Sequence, residues 1–224
     1  MNHLKSYQIN NNISLPPIVL STRNQGKISE FRQMAKGFEI ELKGLNDFGP
    51  IPEVEEDGRT FEENALKKAR FTARVLGLPA IADDSGLVVK ALGGEPGIYS
   101  ARYSGKNATD EDNNAKLVKK IQNIKERDAQ FMCVIAIAVP RGPALIYTGT
   151  CNGIILDRPA GSNGFGYDPL FYYPPLKKTF AEMSPEEKNL VSHRGRAMTE
   201  IKDEFNKILT WLRQRLSEEP TQIG

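Results

Sequence analysis

Residues 130–139 read QFMCVIAIAV, residues 144–150 read ALIYTGT and residues 151–156 read CNGIIL. Runs this rich in Val, Ile, Tyr and Thr predict strands. Their connections are too short for the dozen or more residues that a parallel crossover needs, so they predict antiparallel neighbours. The opposite arrangement is written near the N-terminus. Ile18-Val19-Leu20-Ser21-Thr22 reads as a buried strand. It runs through Asn24-Gln25-Gly26-Lys27 into an amphipathic helix that reaches about Lys36, and Phe38–Leu42 reads as a second strand. A β-α-β opening joined to antiparallel strands predicts an α/β fold with a mixed sheet flanked by helices, not a purely parallel sheet.

The remaining elements fit between these two halves. Residues 43–59 are polar and rich in Gly and Pro, and predict a loop. Thr60 with Glu63 fits a capping box for a helix carrying Ala65, Leu66, Ala69, Ala73 and Leu76 on one side, which Gly77 and Pro79 end. Ala80–Asp84 and Leu87–Leu92 read as two strands, and Thr109 caps a helix expected to reach about Arg127. Ser184-Pro185-Glu186-Glu187 is a strong helix start. Ser192 opens a last helix with Ile201, Phe205, Ile208 and Leu212 at helical spacing, a stripe that reads as core.

Composition sets the bounds. The 224 residues make one domain, expected over 16–217, with a loose extension over 1–15 and a frayed tail over 218–224. Thirty Lys and Arg against 28 Asp and Glu leave a net charge of +2, too small for a protein that coats nucleic acid. No apolar run approaches the roughly 18 residues that span a bilayer. The N-terminus lacks the apolar core of a signal peptide, so a cytoplasmic location is the expectation. Cys133 and Cys151 fall in strand-like stretches and read as buried free thiols.

Several short segments carry residue types suited to phosphate chemistry. At Thr22-Arg23-Asn24-Gln25-Gly26-Lys27 a strand turns into a helix, and a helix N-terminus attracts phosphate through its unpaired amides and its dipole. Lys27 adds a charge, although for this segment taken alone a solvated helix lysine is the plainer reading, and the GxxxxGK[ST] pattern is absent. Asp83-Asp84 ends an apolar strand, where a carboxylate is costly unless paired or metal-bound. Alternation along a strand lets only one of the two face the site, leaving the other as a brace. Glu55-Glu56-Asp57 is a second acidic group. Such hard oxygen donors suit Mg2+, and with only two histidines in the chain no zinc-type cluster exists. Ser85 reads as a hydrogen-bonding group for phosphate or ribose, not as a nucleophile, since the G-x-S-x-G pattern is missing.

Gly164-Phe165-Gly166-Tyr167-Asp168 places an aromatic ring between glycines, which would let a flat base approach the backbone. A Gly-rich turn with one buried aromatic is the plainer alternative. Lys188 and Ser192-His193-Arg194 set an imidazole and a guanidinium at a helix start, where they can donate to a carbonyl oxygen or simply be solvated.

Together the blocks STRNQGK, TFEENALKKAR, AIADDSGLVVKALGGEPGIYSARYSG, GFGYDPLF, FAEMSPEEKN and SHRGRA resemble the inosine triphosphate pyrophosphatase family, from about Ile18 to Leu212. Arg23 stands where many members carry Gly, and residues 1–15 have no counterpart in the compact members. The resemblance implies an elongated fold with two lobes around a long mixed sheet, and a homodimer. It also implies Mg2+-dependent hydrolysis of dITP, ITP and XTP to the nucleoside monophosphate and pyrophosphate. On matched positions, Asp84 would accept the proton and hold the metal with Glu55, from which Glu56 is not firmly separated. Thr22 to Lys27, Lys68 and Ser85 would contact triphosphate and ribose. Phe165, Gly166, Tyr167, Asp168, Lys188, His193 and Arg194 would form the base pocket, with His193 and Arg194 donating to purine O6.

Two other readings keep the same residues in different roles. One is a pyrophosphatase for modified pyrimidine nucleotides. The other is a nucleotide-binding module without catalysis, against which Asp84, Lys27 and the acidic loop argue.

Overall fold

Strand β1 (Ile18–Leu20) lies between β2 (Leu42–Gly44) and β3 (Ala80–Val89) and runs parallel to both. Beyond β3 every pairing is antiparallel: β4 (Asp128–Ala138), β5 (Ala144–Ile155), β6 (Phe171–Tyr173) and β7 (Lys178–Thr179) follow in that spatial order. The sheet is therefore mixed, with order β2-β1-β3-β4-β5-β6-β7. The computed structural model describes residues 15–217. The expected tail, and the expected extension apart from Leu15, lie outside those residues. Among the described residues no helix is long and apolar enough to cross a membrane.

The pleat sorts the core. Ile18, Leu20, Ile81, Ile135 and Ile137 point to one face, where α1 (Gln25–Met34), α5 (His193–Asp203) and α6 (Phe205–Ser217) contribute Phe31, Ile201, Phe205 and Leu212. Val19, Ala80, Ala82, Val134 and Ala136 point to the other face, against Ala65, Ala69 and Ala73 of α2 (Phe61–Leu76). The small side chains on both partners let this helix lie close to the strands. A third cluster joins Leu117 and Ile121 of α3 (Asp110–Ile121) to Phe131, Tyr167, Phe171 and Phe180. The short helix α4 (Pro185–Val191) precedes α5.

Several boundaries differ from the sequence reading. The second strand is Leu42–Gly44, not Phe38–Leu42. Gly37 turns the chain at φ +97°, and the Phe38 ring packs on Phe205 with centroids 4.1 Å apart, which takes it out of the ladder. The two strands expected over 80–92 are one, Ala80–Val89. Gly86 stays in the ladder because a Cβ there would strike Ser100 Oγ, Gly97 O and Phe61. Residues 144–156 likewise give one strand, Ala144–Ile155. The helix capped by Thr109 stops at Ile121, and the last helix is divided at Glu204. Thr60 does cap α2 by accepting from Glu63 N, but the Glu63 carboxylate reaches Arg59 N in place of Thr60 N. Cys133 and Cys151 are buried and free, and burial pushes each thiol up to about 11.

Candidate active site

Because Asp83 and Asp84 are consecutive on β3, the pleat sends them to opposite faces of the sheet. Asp83 meets the α1 and α5 side. Lys27 Nζ lies 2.9 Å from its Oδ2, Arg194 donates to the same oxygen from Nε (3.3 Å) and Nη2 (3.1 Å), and Ser85 Oγ donates at 3.1 Å. Asp84 meets α2, where Lys68 Nζ lies 3.3 Å from Oδ1 and 2.8 Å from Glu56 Oε1. Arg102 holds Glu56 from the far side through its backbone carbonyl at 3.0 Å and its carboxylate at 3.7 Å.

The loop Thr22 to Asn24 and the first turn of α1 close one wall. Asn24 caps α1 by accepting from Lys27 N at 3.1 Å, and its own amide donates to Thr22 Oγ1 at 3.1 Å. Gln25 and Gly26 are exposed in the first turn, where amides lack intrahelical partners. Arg23 points across the mouth to Glu53 Oε1 (3.0 Å) and Ile51 O (3.3 Å). Lys27, Lys68, Asp83, Glu55 and Glu56 share a cleft of about 800 Å3. Within it Glu56 touches Lys68, whereas Glu55 is exposed on the wall.

Phe165 stands beside the first turn of α1, 40 % exposed, with its ring edge 4.0 Å from where a Cβ on Gly26 would sit. Lys188 Nζ is 4.7 Å and Arg194 Cζ 5.8 Å from its ring centroid. Asp168 is buried beneath. Its Oδ2 accepts from Phe165 N at 2.9 Å and pairs with Lys188 Nζ at 2.5 Å. Gly164, at φ +79°, has no room for a Cβ beside that carboxylate. Tyr167 turns the other way, into the core, and its hydroxyl donates to Ser100 O at 2.9 Å. His193 is buried and stacked on Phe131 (centroids 4.7 Å apart, planes at 10°), with no hydrogen-bond partner for Nδ1 among the described residues. Gly149 makes that placement possible, since a Cβ there would collide with His193 O and Ala197 N.

Charge and burial compete at each group. Burial works to raise Asp83, but the Lys27, Arg194 and Lys68 charges hold its carboxyl far below the usual range. At Asp84 burial prevails over Lys68, with Glu56 adding to it, and the carboxyl is raised. Burial opposes the charge on Lys68, yet Asp84, Glu56 and Asp83 together raise it, so it stays an ammonium. Burial likewise raises Asp168 against Lys188. His193 is held well below its ordinary value by burial and then by Arg194 and Lys188, so the ring is neutral, with one donor and one acceptor.

The sequence reading passed over four contributors. Glu30 accepts from Arg194 Nη1 at 2.9 Å; its spacing of three from Lys27 on one helix was the available signal. Arg102, Asp110 and Asn114 act through backbone or loop contacts that no local spacing announces.

Comparison with known proteins agrees with this geometry. Residues 18–204 match the model of the Ham1 family. The chain is 58% identical over 207 residues to the dITP/XTP pyrophosphatase of Syntrophobacter fumaroxidans, covering 92% of this chain and 89% of that protein. It is 59% identical over 205 residues to the dITP/XTP pyrophosphatase of Desulfotalea psychrophila, covering 92% of each. Among solved structures, the Ham1 protein of Staphylococcus aureus superposes with a TM-score of 0.80 at 45% identity, over 86% of this chain and all of that one. The Coxiella burnetii HAM1 protein gives 0.82 at 42%, over 87% of this chain and all of that one. With most of its length matched by the family model and by relatives well above half identical, the chain belongs to the Ham1 family.

Proposed function

We propose that this chain hydrolyses non-standard purine nucleoside triphosphates, dITP, ITP and XTP, to the nucleoside monophosphate and pyrophosphate, with Mg2+ as its metal. The observation that carries the reading is convergence. Lys27 and Lys68 reach one cleft from opposite faces of the sheet, beside Asp83, Glu55 and Glu56, and the exposed Phe165 ring stands beside the first turn of the helix that carries Lys27. The names of the relatives support the substrate class.

The residues present suit a hard divalent cation. Among the described residues Asp84 Oδ2 is buried without a hydrogen bond of normal geometry, the Asn64 side chain being its polar neighbour. Asp84 and Glu56 would hold the ion, with Glu55 nearby on the same wall. Bound there, Mg2+ would supply charge neutralisation for the phosphates and would make the attacking water more acidic.

The chain's own groups do the rest. Lys27 and Lys68 stabilise the charge that grows on the phosphates. The water oxygen bonds to Pα as the bridge to Pβ breaks, the bridging electron pair leaves with pyrophosphate, and Asp84 takes the proton. Its place beside Lys68 and Glu56 in the middle of β3 puts that acceptor at the phosphate end of the cleft. At the base end, Lys188 and Arg194 border the Phe165 ring and are donors only. They favour the O6 acceptor of hypoxanthine and xanthine over the 6-amino group of adenine. The same reading carries a homodimer, which sedimentation of the purified chain tests.

Pyrophosphate release across ITP, dITP, XTP, GTP, ATP and dUTP, with Mg2+ and with chelator, tests the whole reading. Metal-dependent release that favours ITP, dITP and XTP is expected. Release from dUTP alone, or from none of the six, overturns it.

A further inference from the structure

Phe165 combines an exposed ring with a tied backbone: its own amide is held by Asp168, and the next residue, Gly166, is held by two side chains of α3. Asp110 Oδ2 accepts from Gly166 N at 2.6 Å, and Asn114 Nδ2 donates to Gly166 O at 2.9 Å. These residues are four apart on α3 and so lie one above the other on a single face. Between them they hold both backbone polar groups of one residue, and that residue sits at φ +61°. Neither side chain belongs to the capping box of α3. Thr109 and Asp112 complete the capping box of α3, which leaves Asp110, in the first turn, free to face outward. Asn114 is buried, its Oδ1 has no hydrogen-bond partner among the described residues, and its amide donates to Gly166 O.

We propose that Asp110 and Asn114 are positioning residues for base recognition. They fix the Gly166 peptide and so present the Phe165 ring, preorganised, to the purine. The proposal rests on the reading of Phe165 as the stacking surface. The physical argument is entropic. A glycine-flanked aromatic left untied would sample many backbone states, and ordering it on binding would weaken affinity. With Phe165 N held by Asp168, Gly166 by α3 and the Tyr167 hydroxyl by Ser100, that ordering is done when the chain folds.

The test measures KM and kcat for ITP with Mg2+ in the full chain carrying Asp110→Ala, Asn114→Ala, Asp110→Asn or Phe165→Ala, and in the double variants with Phe165→Ala. Thermal midpoints are recorded alongside. The expectation is a KM about tenfold higher in Asp110→Ala and Asn114→Ala with kcat within about twofold, since a stacking surface that must be ordered on binding weakens affinity and leaves the chemical step alone. Asp110→Asn, which keeps an acceptor oxygen, should stay near wild type. On the Phe165→Ala background the α3 substitutions should add nothing, because their effect runs through that ring. If Phe165→Ala raises KM but the α3 variants do not, the clamp is overturned while base stacking stands. If Phe165→Ala itself leaves KM unchanged, both fall. Loss of kcat that adds independently to Phe165→Ala identifies a merely structural role and also overturns the proposal.

Discussion

The Lys68 ammonium lies between two carboxylates, 2.8 Å from Glu56 Oε1 and 3.3 Å from Asp84 Oδ1, and its side chain is only 12% exposed. The lysine thus holds together two acids that would otherwise repel across the cleft, one on the loop before α2 and one in the middle of β3. Asp84→Asn keeps the shape and removes the proton acceptor. Turnover on ITP should fall by about two to four orders of magnitude, the usual range for a positioned acid or base. The fold should persist, because burial already disfavours the ionised Asp84 carboxyl. Steady-state pyrophosphate release and circular dichroism check both halves, and turnover within tenfold of wild type would remove Asp84 from its assigned role.

Asp83 carries the opposite balance. It is buried, and Lys27 and Arg194 hold it ionised far below ordinary carboxylates. Asp83→Asn leaves the buried Arg194 guanidinium with Glu30 as its remaining carboxylate, and should lower stability by about 3 kcal/mol or more. The pH dependence follows from the direction of the shift. The unfolded carboxyl titrates near ~3.9 and the folded one well below, so the stabilisation is complete above about pH 4 and drains as the pH falls further. Urea denaturation of both proteins between pH 3 and pH 7 should show a constant gap that narrows only at the acid end. A gap that widens on acidification would contradict the ion-pair account.

The parts legible in the sequence were those written in local pattern. The apolar runs at 18–22 and 130–156 announced a mixed sheet, and Ser184 and Ser192 announced the starts of α4 and α5. Alternation in Asp83-Asp84 foretold that the two acids part company, since a pleat admits no other outcome. What stayed hidden depends on residues far apart in the chain. Gly86 looked like a strand break because its neighbours Phe61 and Ser100 are not adjacent in sequence. Tyr167 looked like part of a base pocket because nothing local reveals Ser100 O, 67 positions away. Phe38 looked like a strand residue until Phe205 took up its ring.

His193 offers a spectroscopic test. Burial, then the Arg194 and Lys188 charges, keep the folded imidazole neutral, while the unfolded ring would titrate near ~6.5. Below that pH the unfolded chain binds a proton that the folded chain refuses, so this group lowers stability on acidification. In a His3→Gln background one imidazole remains, and its NMR resonances should not move between pH 5.5 and pH 8. A titration midpoint inside that window would mean that the ring is hydrated or paired with a carboxylate, contrary to its stacking on Phe131.

The adjacent acids Glu55 and Glu56 separate on geometry. Glu56 contacts Lys68 and is held by Arg102 through both backbone and side chain, whereas Glu55 is exposed on the cleft wall. A carboxylate already fixed beside Asp84 gives up less freedom on binding a cation than one that is still solvated. Glu56→Gln should therefore raise the Mg2+ concentration for half-maximal activity by about tenfold or more, and Glu55→Gln by less. Titration of activity with Mg2+ at saturating ITP separates the two. If Glu55→Gln has the larger effect, the loop must move on binding so that Glu55 turns inward, and the Arg102–Glu56 contact would be a feature of the free protein alone.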